Sequence, residues 1–100
     1  MYKIVFHKTV VENDLPKLNK SDQNKILNSI YKKLTIAPEK FGKPLAGQLK
    51  GYFKLRVNDY RVVYVIKKNE VTVLIFKIGQ RKDSIVYEEA IKRLRWIDFH

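Results

Sequence analysis

Residues 52–78 read YFKLRV-ND-YRVVYVIK-KN-EVTVLIFKI, and this stretch decides the fold. Three runs rich in Val, Ile, Tyr and Phe, at 52–57, 60–67 and 70–78, are separated by Asn58-Asp59 and Lys68-Asn69, the pattern of an antiparallel meander. With Asn58-Asp59 as a tight turn, Phe53 faces Tyr64 and Leu55 faces Val62, while the opposite face sets Lys54 against Val63 and Arg56 against Arg61. With Lys68-Asn69 as the second turn, Lys67 faces Glu70, Ile66 faces Val71, Tyr64 faces Val73 and Val62 faces Ile75. One apolar face then runs across all three strands and needs helices to cover it. The other mixes Lys54, Arg56 and Arg61 with Val63, Val65, Leu74 and Phe76, and is expected to be half covered by a C-terminal helix. Two arginines directly opposite each other repel unless an anion or a carboxylate lies between them. An anion site and a structural role for one arginine both remain open.

Working outward, Tyr2 to Phe6 alternates as a strand with Tyr2, Ile4 and Phe6 on one face. Thr9 is expected to cap a short helix carrying Val11, Leu15 and Leu18, broken or kinked just before Pro16. Ser21 is the expected N-cap of a second helix, with Asp22 in its first turn and Ile26, Ile30 and Leu34 as its buried stripe. Lys20, Lys25, Lys32 and Lys33 read as its solvated side. Residues 38–51, punctuated by Pro38, Gly42, Pro44, Gly47 and Gly51, read as loop, with Leu45 and Leu49 pinning a short edge segment. After Ile78-Gly79-Gln80-Arg81-Lys82, Asp83 or Ser84 can cap a final helix whose inner stripe is Val86, Ala90 and Leu94. Tyr87 lies alongside that stripe and, on packing grounds alone, is a half-buried tyrosine with a wet hydroxyl.

The fold class expected is therefore α+β: an N-terminal strand, two helices, three to four further antiparallel strands and a C-terminal helix. A chain of 100 residues supports one domain over 1–100, since that length buries roughly 65% of its unfolded surface around a single core. The absence of cysteine excludes a disulfide framework and thiolate metal sites and fits a reducing, cytoplasmic setting. Tyr2 to Phe6 is too short for a signal core or a membrane span.

Lys and Arg number 21 against 10 acids, a formal charge of +11, beyond the net charge of ~2–8 typical of a small soluble surface. The excess points to a polyanion, with RNA the leading reading. No glycine run ends in the Gly-Lys-Ser/Thr of a phosphate-cradling loop. His7 and His100 are isolated, each with a packing or surface role, and no paired carboxylates suggest a metal-dependent nuclease, so no metal and no cofactor are expected. What remains is fixed cations near a phenol. That suffices for phosphodiester cleavage when the RNA 2′-hydroxyl attacks the adjacent phosphate and cations stabilise the developing charge.

The segments Lys54-Leu55-Arg56, Asp59-Tyr60-Arg61-Val62-Val63-Tyr64, Ile78-Gly79-Gln80-Arg81-Lys82-Asp83 and Tyr87 together closely resemble the RelE branch of the RelE/ParE toxin superfamily. Asp14-Leu15-Pro16-Lys17-Leu18 and the stretch from Phe41-Gly42-Lys43-Pro44-Leu45 to Leu49-Lys50-Gly51 extend the resemblance along nearly the whole chain. It implies an α+β toxin held inactive by a cognate RelB-like antitoxin, and ribosome-dependent cleavage of mRNA in the A site. Carried over by position, Lys54 matches a catalytic lysine, Arg61 and Arg81 the phosphate-stabilising arginines, and Tyr87 the catalytic tyrosine. This replaces the bland reading of Tyr87. As a base it would accept the 2′-OH proton, with Arg81 and Lys54 lowering a phenol pKa ordinarily about 10, and leave a 2′,3′-cyclic phosphate.

Lys50, Tyr52, Arg56, Lys77, Gln80 and Lys82 complete an expected RNA- and ribosome-contacting set. Two positions depart from the family. Tyr52 stands where a second catalytic lysine is usual, so it either stacks on a base or leaves Lys50 to supply the charge, and Gln80 stands where many relatives have histidine. The competing readings are a ParE-like inhibitor of DNA gyrase with no RNA chemistry, and a plain nucleic-acid-binding module.

Overall fold

The hairpin at Asn58-Asp59 closes in the expected register, with β3 (Tyr52–Val57) antiparallel to β4 (Tyr60–Lys67) and the pairs Phe53–Tyr64, Leu55–Val62, Lys54–Val63 and Arg56–Arg61 all in place. Asn58, at φ 52°, supplies the left-handed residue such a turn needs, a conformation its short polar side chain tolerates. These coordinates are a computed structural model that describes residues 1–81 and 85–99. The proposed capping residues Asp83 and Ser84, and Lys82, lie outside the described residues.

The second turn is longer than expected. Lys67 pairs with Thr72, so residues 68–71 form the connection, Tyr64 faces Ile75 and Ile66 faces Val73, a slip of two positions that preserves which face each residue occupies. Val71 ends this turn at φ 49°, in the left-handed region, although it is β-branched and 47% exposed. A branched Cβ there is strained by roughly 1–3 kcal/mol. Val71→Asn is accordingly expected to raise stability by about 1 kcal/mol, and Val71→Gly by less because glycine also loosens the unfolded chain. Urea-midpoint shifts of the two variants check this; a lower midpoint for Val71→Asn refutes it.

β5 (Thr72–Gln80) pairs with β4, but the register shifts between Val63 and Tyr64, leaving Phe76 as an extra residue between the Tyr64–Ile75 and Val63–Lys77 pairs. This bulge exchanges the faces beyond it. Ile78 consequently joins Val73 and Ile75 in the main core, and Lys77 turns to the opposite side. β1 (Lys3–Phe6) adds to the far side of β5 in parallel, and β2 (Lys43–Pro44) adds to β3, giving the order β1-β5-β4-β3-β2. The four further strands β2 to β5 are antiparallel as expected, and the N-terminal strand, whose direction the sequence left open, joins them in parallel.

The main core lies between this sheet and the helical segment that follows β1. A wide helical turn at Val10–Asp14 gives way to a tight one at Leu15–Lys17, with the break falling before Pro16 as its missing N–H requires. Helix α1 (Lys20–Ser29) and its wide-turn continuation Ile30–Leu34 bury Ile26, Ile30 and Leu34 against Val62, Tyr64, Val73 and Ile75. Its N-cap is Asn19 rather than Ser21: the Asn19 side chain accepts from the Asp22 backbone N–H at 2.8 Å. Thr9 makes no capping bond; its hydroxyl contacts His7 Nδ1 instead, and the His7 ring packs edge-on to Phe76.

Within the segment read as loop, Pro38–Phe41 forms a single helical turn, α2. The buried Tyr64 hydroxyl donates to the Pro38 carbonyl at 2.7 Å. A Cβ on Gly42 would fall 1.8 Å from that hydroxyl, so only glycine lets α2 sit this close to the sheet. Helix α3 (Ile85–Phe99) covers part of the other face, where Ala90, Tyr87, Ile91 and Leu94 pack with Leu45, Leu49, Tyr52 and Phe76. Its first turn approaches β5 at Gly79, where a Cβ would meet Val86 at 2.6 Å. Among the described residues no helix is long and apolar enough to cross a membrane.

Candidate active site

Strand pairing sets two rungs of like charge side by side. Lys43 on β2 lies directly opposite Lys54 on β3, and Arg56 on β3 directly opposite Arg61 on β4. β2 covers β3 only at Phe53 and Lys54, so beyond them β3 is the edge of the sheet, and there a cleft of about 370 Å³ opens along Leu55 and Arg56. Lys54, Arg56, Arg61 and Arg81 reach it from the expected set; Lys33, Lys43 and Phe41 join them. Among the described residues none of these six cations forms an ion pair. Arg56 instead turns its Nε–H toward the Asn58 carbonyl at 3.3 Å, and the Arg61 guanidinium sits over the Tyr87 ring, 5.1 Å from its centroid. The two arginines thereby diverge, each held by a neutral partner. Arg81 is fixed through its backbone N–H, which donates to the Asp59 carbonyl at 2.6 Å.

Tyr87 borders the cleft through Arg61 rather than lining it. Its hydroxyl oxygen is buried and has no hydrogen-bond partner among the described residues. Such a group forgoes roughly 1–3 kcal/mol.

The remaining residues divide. Lys50 is exposed at the turn before β3, outside the cleft lining. Tyr52 is half-buried with its ring 5.3 Å from Phe76, a packing position under α3 rather than an open stacking surface. Gln80 is exposed in a second, larger cleft of about 660 Å³ with Asp22, Lys25, Asn58, Asp59 and Tyr60, on the side away from Lys54. Arg56 borders both clefts. Lys77 must be withdrawn from the RNA-contacting set. It is 5% exposed and its ammonium is bound to Asp14 at 3.0 Å and Glu89 at 2.6 Å, because the bulge at Phe76 turns it inward beneath α3.

The sequence reading missed Lys33, Lys43 and Phe41. Lys33 was taken for solvation, and Phe41 and Lys43 belonged to a supposed loop. Residues from both faces meet only at a sheet edge, which alternation along single strands does not reveal. The one available signal was the short apolar-basic run Phe41-Gly42-Lys43 ahead of the edge strand.

A family model described as the ParE toxin of type II toxin-antitoxin systems, parDE, matches residues 4–85. The chain belongs to the ParE toxin family. Within it, the chain is 32% identical to Toxin RelG of Mycobacterium tuberculosis over 75 residues, 75% of this chain and 86% of that one. It is 44% identical to the mRNA interferase toxin RelE of Escherichia coli K12 over 41 residues, 41% of this chain and 43% of that one, so the match spans less than half of that relative. Among solved structures, the RelBE toxin-antitoxin complex of Mycobacterium tuberculosis aligns with a TM-score of 0.75 at 31% identity, covering 80% of this chain and 98% of that one. A double arginine-to-alanine variant of E. coli RelE in the free state aligns at 0.73 with 24% identity, over 92% and 96%, a likeness of fold. This ParE-family chain therefore has the α+β architecture expected of it, and every residue lining its cation cleft lies within the matched residues 4–85, with Tyr87 just beyond them.

Proposed function

We propose that this chain is the toxin of a toxin–antitoxin pair and cleaves mRNA in the ribosomal A site. The observation that carries this reading is the pair of like-charged rungs, Lys43–Lys54 and Arg56–Arg61, opening with Arg81 into one cleft without a neutralising carboxylate among the described residues. Like charges in directly opposed sheet positions lower stability unless an anion joins them. A phosphodiester is such an anion. The names of the relatives, mRNA interferase toxin RelE and Toxin RelG, support the same reading.

In the proposed reaction the 2′-oxygen attacks the adjacent phosphorus and the bond to the 5′-oxygen breaks, leaving a 2′,3′-cyclic phosphate, while the departing 5′-oxygen takes a proton from water to become a 5′-hydroxyl. Arg61 and Arg81 hold the non-bridging oxygens, and Lys54 stabilises the charge that grows in the transition state. Tyr87 accepts the 2′-OH proton, which requires its buried hydroxyl to turn toward the phosphate as substrate enters. An acidic antitoxin segment laid over the basic cleft accounts for inhibition.

Tyr87→Phe separates catalysis from packing. It keeps the ring beneath Arg61, so cleavage is expected to fall about 10²-fold for loss of the proton acceptor, while stability holds or rises by about 1 kcal/mol for loss of an unpaired buried hydroxyl. Unchanged cleavage by this variant removes the base role. The family model's parDE description favours a second reading, inhibition of DNA gyrase. Purified toxin added to a cell-free translation reaction, with mRNA 5′ ends mapped and gyrase supercoiling assayed in parallel, decides between them. Codon-phased cuts that need ribosomes are expected; intact mRNA with blocked supercoiling would replace the first reading by the second.

A further inference from the structure

Phe41 is 49% exposed, yet it stands on a turn fixed at both ends. Tyr64 holds the Pro38 carbonyl, and Gly42 fits against Tyr64 where no Cβ could. Lys33 lies over its ring, 6.0 Å from the centroid, and both residues line the cleft that receives Lys54, Arg61 and Arg81. A large aromatic left open to water forgoes burial that a nearby core would reward. A rigid aromatic beside a row of cations is the arrangement by which proteins hold single-stranded nucleic acid, with the cations tracking phosphates and the ring stacking a base.

We infer that Phe41 is the stacking platform for a base next to the scissile phosphate, with Lys33 and Lys43 holding the adjoining backbone. The inference rests on the RNA-cleavage reading and deepens it by assigning a positioning residue that fixes the strand in the cleft. One face of the ring meets Lys33, and a base on the other would complete a cation–ring–base stack. RNA is favoured over a protein partner because six cations, none of them in an ion pair among the described residues, share the cleft with the ring.

The test uses ribosomes programmed with a short mRNA carrying 2′-deoxy sugars to block cleavage, and 2-aminopurine placed at one position at a time across the A-site codon and its flanks. Stacking quenches 2-aminopurine. The parent protein is expected to quench one position strongly, Phe41→Ala to lose that quench and bind about tenfold more weakly, and Phe41→Trp to retain both. With cleavable mRNA, Phe41→Ala is expected to raise KM about tenfold with kcat changed less. Thermal melts of the variants confirm folding, which an exposed side chain leaves intact.

Equal quenching by parent and Phe41→Ala overturns the inference while leaving ribosome-dependent cleavage standing. So does an alanine variant with unchanged quenching and weaker binding of a protein partner, which would assign the ring to protein docking. A parent that neither binds nor cuts ribosomal mRNA overturns both the inference and the reading beneath it.

Discussion

Arg61→Ala and Arg81→Ala should each slow mRNA cleavage by about 10²–10³, the usual effect of removing one preorganised charge aimed at a developing oxyanion. The same variants should melt no lower than the parent. Arg61 faces Arg56 across β3 and β4 and makes no ion pair among the described residues, so its removal relieves a repulsion while the proposed cleavage slows. That opposition of signs distinguishes a site from a scaffold: a structural arginine would lose activity and stability together. Single-turnover cleavage on programmed ribosomes, read beside a thermal melt, gives both numbers. Activity within threefold of the parent for both arginine variants would contradict the phosphate assignment. Arg61→Lys should rescue only part of the rate, since lysine keeps the charge but not the planar fork that binds two oxygens and sits over the Tyr87 ring.

Asp14→Ala should destabilise the protein by about 3–5 kcal/mol, the cost of leaving buried cations without their counterion. Asp14 is 3% exposed and takes four hydrogen bonds: two from Arg93 at 3.0 and 3.2 Å, one from Lys77 at 3.0 Å and one from the Ile78 backbone N–H at 2.9 Å. It thus joins the turn after β1, the end of β5 and helix α3. Urea unfolding measures the loss, with an unchanged m-value marking a stability effect. A shift under 1 kcal/mol would mean that the cluster relaxes around the cavity.

The same carboxylate shapes the response to acid. Burial by itself raises the Asp14 pKa, but the Arg93, Ile78 and Lys77 hydrogen bonds outweigh it and hold the group below the ordinary carboxylate value. Lys77 lowers Glu89 in the same way. A depressed acid stabilises the fold fully above its unfolded pKa of about 4, and this contribution is lost as pH falls through the lower folded value. His7 acts earlier: burial, then the charge of Arg93, depress its pKa. The unfolded chain therefore takes up that proton first, and stability begins to fall below pH of about 6.5. Two stages of acid weakening are expected, and Asp14→Asn should flatten the lower one.

How much of this could be read from sequence depended on where the chain leaves its period. Asn58-Asp59 advertises a tight turn, so the Arg56–Arg61 rung was legible to the residue. Val71 does not advertise a left-handed backbone, and the second turn was misread by two positions for that reason. Nothing in Leu74-Ile75-Phe76-Lys77 announces the bulge. Lys77 therefore looked like another surface cation, when its partner Asp14 waits far back in the chain. The meander set Lys54 and Arg61 on one face and the family pattern added Arg81, and all three line the cleft. Lys33, Lys43 and Phe41 depend on a sheet edge, and an edge exists only once all five strands have been ordered.

The parallel pairing of β1 with β5 has a consequence for synthesis. Lys3 to Phe6 are synthesised long before their partners Thr72 to Ile75. Until then β1 can find no place in the sheet, and so distant a contact closes slowly. The sheet therefore cannot close until β5 has been made, and β1 waits unpaired while every element between them is synthesised.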